Sequence, residues 1–156
     1  MQATPLLLTA CGGFLLAVLW MDLLFDVQVL RHRQGKAALP EPVLASIAAY
    51  YRRVTTDARP LGHLIGMVMI LALAILVVQI ALGHGPRWLA WASLLLAGGP
   101  VLLALVRVVP NAVRLGSRAD SALQQSALAR SICRDHLLCL AGILGFVGLQ
   151  LVAAAR

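Results

Sequence analysis

Charge is what this sequence lacks. Only 12% of its 156 residues are Asp, Glu, Lys or Arg, whereas about 25% is usual in a soluble domain. With 61% apolar residues and a mean hydropathy of +0.89, there is too little polar surface to cover a core in water. Soluble enzymes and nucleic-acid-binding domains are excluded on this ground, and no nucleic-acid partner is expected. Cysteine is also scarce. Cys11 falls toward one end of the first apolar run, and Cys133 and Cys139 toward the opposite end of the last. Two positions six apart on one helix are about 9 Å apart along its axis, beyond the reach of about 7 Å that a disulfide allows, so no bridge is expected. No Glu-x-x-His pair and no two-cysteine loop is present. Cys133-x-x-His136-x-x-Cys139 winds across about 120° of one helix and does not converge on one ion.

The charges that are present are arranged. Met1 to Met21, Gly62 to Pro86, Trp88 to Val106 and Leu137 to Ala155 carry none, and each run is long enough to cross a hydrocarbon core of about 30 Å at about 1.5 Å per residue. The expected fold is therefore all-α: a polytopic membrane four-helix bundle, up-down-up-down, in a single domain over 1–156. Its spans fall near 5–26, 61–82, 88–109 and 133–155.

Eleven of the 13 basic residues lie on one side of such a bundle. They are Arg31, Arg33, Lys36, Arg52, Arg53 and Arg59 between the first two spans, and Arg107, Arg114, Arg118, Arg130 and Arg134 around the join of the last two. Only Arg87 and Arg156 lie opposite. The positive-inside rule makes the basic side cytoplasmic and puts both termini outside. Contact with anionic headgroups is expected there, at about 1 kcal/mol per basic residue. The first run has no basic residue before it and no small-x-small site after it, which reads as a retained anchor rather than a cleaved leader. The compartment expected on this reading is a bacterial inner membrane.

Prolines bound an amphipathic segment near 42–58. Val43, Leu44, Ile47, Tyr50, Tyr51, Val54 and Ala58 share one arc, with Arg52, Arg53 and Asp57 on the other. This helix either lies at the membrane interface or packs on the ends of the bundle. Ser121-Ala122-Leu123-Gln124 has capping-box spacing, so the last helix is expected to start there and run about 50 Å. Pro100 bends the third span, and Gly142, Gly145 and Gly148 give the fourth a close-packing face.

Polar residues inside the spans require a partner. Asp22 and Asp26 lie one turn apart at the inner end of span one. Asp135 and His136 head span four, His63 opens span two, and Arg107, Asn111 and Arg114 close span three. Alternating spans place all eight at one level. Arg130 and Arg134 fall roughly opposite the Asp135 stripe and are expected to face headgroups or other cytoplasmic elements. Three readings of the cluster stay open. In a structural network, carboxylates pair with arginines or histidines and fix the helix ends. In an active site, Asp22, Asp26, Asp135 or His136 supplies acid/base chemistry on a lipophilic substrate held by Arg107, Asn111, Arg114 and His63. In a metal site, His63, His136, Asp22 and Asp26 are the ligands. No cofactor is otherwise expected.

Val109-Pro110-Asn111-Ala112-Val113-Arg114-Leu115, followed by a polar helix leading into Arg134-Asp135-His136, resembles the small four-span anthrone-oxygenase-like membrane proteins. The resemblance covers about the last third of the chain. It implies a four-helix bundle and oxidation of a hydrophobic aromatic compound without metal or flavin. Asn111 and Arg114 would be the orienting groups and His136 the base. Asp22-x-x-x-Asp26 and Tyr50-Tyr51-Arg52-Arg53 fall outside it. The alternative class is a non-catalytic scaffold or accessory subunit, whose glycine faces would meet a membrane-protein partner or a second copy. Transport ranks last, because the spans offer only Gln79 and Gln150 beyond the inner cluster.

Overall fold

A computed structural model describes residues 3–32, 37–83 and 85–155. Arg33, Lys36, His84 and Arg156, on which part of the sequence reading rests, lie outside the described residues. Every described element is helical. α1 spans Ala3–Asp26 and tightens into a 3-10 segment, Val27–His32. α2 (Glu41–Arg52) is followed by α3 (Arg59–Leu82), α4 (Arg87–Leu103), α5 (Val109–Ser117) and α6 (Ala122–Ala154). Four helical stretches are long and apolar enough to cross a membrane: Thr4–His32, Pro60–Leu82, Arg87–Ser117 and Ala122–Ala154. The protein is an all-α polytopic bundle.

α6 is the central element, packing most extensively on α1 and then on α4, while α3 closes the bundle against α4 and α1. The reason is legible in α1. Leu8, Cys11, Leu15, Leu19, Leu23 and Asp26 recur at spacings of three and four and are all buried, so α1 offers one continuous stripe to α6. Phe146 and Ile143 of α6 meet that stripe in two apolar clusters through the middle of the bundle. Gly142 lets α6 approach α4. A Cβ at that position would lie 2.6 Å from Pro100 Cγ and 3.0 Å from the Leu96 carbonyl oxygen.

At the basic end the bundle is capped. α2 does not lie free on the membrane surface: Leu44, Ile47, Ala48 and Tyr51 are buried against α5 and α6, in a cluster with Ala112, Leu115, Ala129 and Ile132. Gly116 allows the contact, since a Cβ there would sit 2.8 Å from the Arg52 amide nitrogen. Polar bonds hold the rim. Ser126 Oγ accepts from the Leu39 amide at 2.8 Å, Arg130 donates to the Ala37 carbonyl at 2.8 Å, and Arg118 pairs with Glu41. Arg130 therefore fastens the chain leading into α2 and is not turned only toward headgroups. Ser121 and Gln124 form the expected capping box at the start of α6.

Two π turns, Arg53–Asp57 and Ala104–Val108, each end three or two residues before a proline, Pro60 and Pro110. A proline has no N–H to donate, and its ring crowds the carbonyl four residues back. Before Pro110 the widened turn relieves that crowding without ending the helix, whereas before Pro60 the helix ends at Ala58, which is non-helical, and α3 starts anew. The second of these turns carries Arg107.

The glycine contacts yield a test of this packing. Gly116→Ala drives a methyl into the α2 backbone and is expected to cost about 1–3 kcal/mol. Gly148→Ala, where a Cβ meets nothing within 4 Å, is expected to be neutral or to gain up to about 1 kcal/mol. Thermal unfolding in detergent micelles distinguishes them, and equal midpoints would contradict the α2–α5 contact.

Candidate functional site

The basic ends of α1 and α6 meet α2 in a cluster of five polar side chains: Asp22, Asp26, Tyr50, Tyr51 and His136. Asp22 and Asp26 stand one turn apart on the α1 stripe, so both carboxylates face the same neighbour. Tyr50 and Tyr51 end α2. The Tyr51 hydroxyl donates to Asp26 Oδ1 at 2.6 Å, and the Tyr50 hydroxyl donates to Asp22 Oδ1 at 2.7 Å. Both lengths fall in the range of O–H to carboxylate bonds. His136, from α6, bridges the pair. Its Nδ1 lies 2.7 Å from Asp26 Oδ2, within hydrogen-bond distance. Nε2 lies 3.6 Å from Asp22 Oδ2.

Burial makes these bonds obligatory. Asp26 and Tyr51 are sealed from solvent, and Asp22 and His136 nearly so. Phe25 stacks on Tyr50 with ring centroids 4.1 Å apart, closing the side of the cluster. Burial first, and then the neighbouring Asp26 and Asp22 charges, hold the Tyr51 hydroxyl far above the ordinary tyrosine range; burial and Asp22 do the same for Tyr50. Both phenols are therefore fixed as donors.

A second group lies beside the first. Asp135, also sealed, receives Arg134 on Oδ1 at 3.1 Å and faces Arg107 across 3.2 Å on Oδ2, an ion pair without hydrogen-bond alignment. Arg107 also donates to Ser131 Oγ at 3.1 Å. The expectation that Arg134 turns away from this stripe is corrected: a long side chain curls back along its own helix to the adjacent carboxylate.

The structure brings Asp22, Asp26 and His136 together, and Asp135 with Arg107. It leaves the other sequence candidates apart. His63 is exposed at the start of α3, and Asn111 makes no side-chain hydrogen bond among the described residues. Arg114 forks onto Asp120 at 2.7 and 2.8 Å, outside the cluster, and holds that carboxyl below its usual range through the hydrogen bonds. Among the described residues, no three His, Cys, Asp or Glu side chains are arranged to hold one metal ion. No disulfide joins the three buried cysteines. Sequence reasoning missed the two tyrosines as partners of the aspartates. The available signal was that a buried phenol needs an acceptor, and unanswered carboxylates stood on the neighbouring span.

These features define a small membrane bundle whose sealed polar centre joins three helices by mutual hydrogen bonding. The family model SHR3 chaperone, described as ER membrane protein SH3, matches residues 2–153, and the chain belongs to that family. No curated protein and no solved structure gives a significant match. The family overturns two expectations. The resemblance to anthrone-oxygenase-like proteins rested on short elements in the last third of the chain, whereas the chaperone family matches almost its whole length. The bacterial inner membrane is replaced by the membrane named in the family description, that of the endoplasmic reticulum; charge asymmetry reports orientation and does not distinguish between membranes.

Tyr51→Phe leaves Asp26 without its phenol donor and is expected to cost about 1–3 kcal/mol, with the less buried Tyr50→Phe below that. Unfolding in micelles measures both, and a neutral Tyr51→Phe would contradict the clamp. The chain has 2 tyrosines, both in this cluster, so phenolate absorbance reports the site alone. Their raised folded values stabilise the fold fully below the ordinary tyrosine range near pH 10, and that stability is lost as pH rises beyond it. Phenolate absorbance should therefore stay flat through that range and appear only with unfolding. An ordinary titration in the folded protein would show the hydroxyls to be free.

Proposed function

We propose that this protein is a non-catalytic accessory chaperone of the endoplasmic reticulum membrane that engages other membrane proteins within the bilayer. The observation that carries the reading is the family match over residues 2–153. The geometry of the polar centre agrees with it. Tyr50, Tyr51, Asp22, Asp26 and His136 are hydrogen-bonded or ion-paired to one another, which is the arrangement of a joint between helices. The roles of Asp22, Asp26, Asp135 and His136 on this reading are to hold helix ends, with Arg107 supporting Asp135.

The contact with a partner would fall on the membrane-facing sides of the spans. Gly13, Gly66 and Gly148 lie there with open space where a side chain would be, so a partner helix can approach closely. The partner class is a membrane protein, and a lipid bilayer with anionic headgroups surrounds the basic end.

Purification of the protein at native expression in a mild detergent is expected to recover polytopic membrane proteins, and His136→Gln that remains folded is expected to recover the same set. Recovery of the chain alone, from membranes where cross-linking also finds no partner, would overturn the chaperone reading. Loss of a chemical turnover in folded His136→Gln would instead favour the acid/base reading of the same residues.

A further inference from the structure

Where α4 and α6 lie side by side, an apolar groove of about 190 Å³ opens to the membrane. Leu95, Gly99 and Leu103 form one wall, Leu138 and Gly142 the other, and Pro100 lies between them. Gly99 leaves the groove open, since a Cβ there would meet nothing within 4 Å, whereas Gly142 brings α6 against Pro100 at its floor. On the basic side, just beyond its lining, each of the two helical stretches carries an arginine. Arg134 precedes Leu138 by one turn of α6, and Arg107 follows Leu103 by four residues across the π turn.

Charge at this mouth is unbalanced. Arg107 and Arg134 share one carboxylate, Asp135, whose side chain is 1% exposed, while their own are 45% and 61% exposed. The shared carboxylate is buried and both guanidiniums are exposed, so one positive charge of the three groups is in excess. An excess positive charge at interfacial depth thus sits directly above an apolar slot. We propose that this is a binding site for one anionic phospholipid, with its phosphate on Arg107 and Arg134 and an acyl chain between Gly99 and Gly142. Basic pockets between membrane helices take such headgroups. A free phosphate would leave the groove unused. A partner helix, about 10 Å across, would not enter a slot between two helices already in contact. The inference is independent of the chaperone reading, because it rests on the groove and the charge above it.

Gly99 provides a clean variant. A Cβ there meets nothing within 4 Å, so Gly99→Leu is expected to occupy the groove, and its unfolding temperature in lipid-free micelles reports whether the bundle accepts it. Purified protein in micelles is titrated with phosphatidylglycerol, with phosphatidylcholine of the same acyl chains, and with inorganic phosphate, and is read by native mass spectrometry and thermal unfolding. One phosphatidylglycerol per chain is expected to be retained and to raise the unfolding temperature. Arg134→Gln should weaken retention by about fivefold, the worth of one interfacial arginine. Gly99→Leu should lose it while unfolding at the wild-type temperature in lipid-free micelles, and Arg31→Gln, at the distant end of the 3-10 segment, should retain it. Equal retention of phosphatidylcholine, an equal thermal shift from inorganic phosphate, retention indifferent to both groove variants, or a second chain bound in place of lipid would each overturn the site.

Discussion

A carboxylate taken out of water inside a membrane protein has to be answered by the protein itself, and Asp26 is the residue for which that constraint is strictest. It lies on the stripe of α1 that faces α6, sealed from solvent, with both oxygens engaged by groups from two other helices. Tyr51 reaches it from α2 and His136 from α6. Three segments far apart in sequence are thus obliged to meet at one point. The cost of a buried unpaired charge makes every other arrangement of these helix ends unfavourable by several kcal/mol. Asp22 and Tyr50 repeat the arrangement one turn away, which fixes the direction of α2 as well as its position.

The prolines complement that joint. Pro60 and Pro110 each follow a π turn, and the second π turn directs Arg107 at α6, where it faces Asp135 and bonds Ser131. A regular helix crowded by the Pro110 ring would have had to kink or end near Val106. The widened turn keeps the span continuous and carries it on into α5. Gly116 then lets α5 seat against α2. Backbone adjustment at one end and hydrogen bonding at the other therefore serve the same purpose, a rigid cap over the basic end of an otherwise aliphatic bundle.

The four spans, and the inner level at which Asp22, Asp26, Asp135 and His136 lie, were legible in the sequence because bilayer thickness and the cost of buried charge act on composition and position alone. Which polar groups pair was not legible. Tyr50 and Tyr51 read as apolar members of an amphipathic arc because helical periodicity assigns a residue to a face and is silent about its hydroxyl. Arg114 stood at the right level but is taken by Asp120, six residues on, in a turn that periodicity does not describe. Arg134 was assigned by its angle on the helix, yet a flexible arginine places its charge well away from its own Cα. The family was hidden for a different reason: short motif matches in one third of a chain weigh less than a pattern distributed over residues 2–153.

The distribution of polar bonding bears on how such a protein could meet partners. At the basic end nearly every buried polar group is spent inside the chain, and the helices there are held by bonds that require specific partners. Toward the other end, among the described residues, only Gln150 and Ser93 form a buried side-chain pair, 2.7 Å apart between α6 and α4. The large exposed apolar side chains on the spans are mostly aliphatic, with Trp20, Trp88 and Trp91 among them. In a bilayer, apolar faces gain little from leaving lipid, so contact with another helix depends on shape and close approach. A bundle whose identity is fixed at one end can present such a surface without itself rearranging. That division follows from where the few charges sit, which returns the argument to Asp26: sealing it inside the joint keeps its charge off the membrane-facing sides, where the exposed charges beside the groove are Arg107 and Arg134.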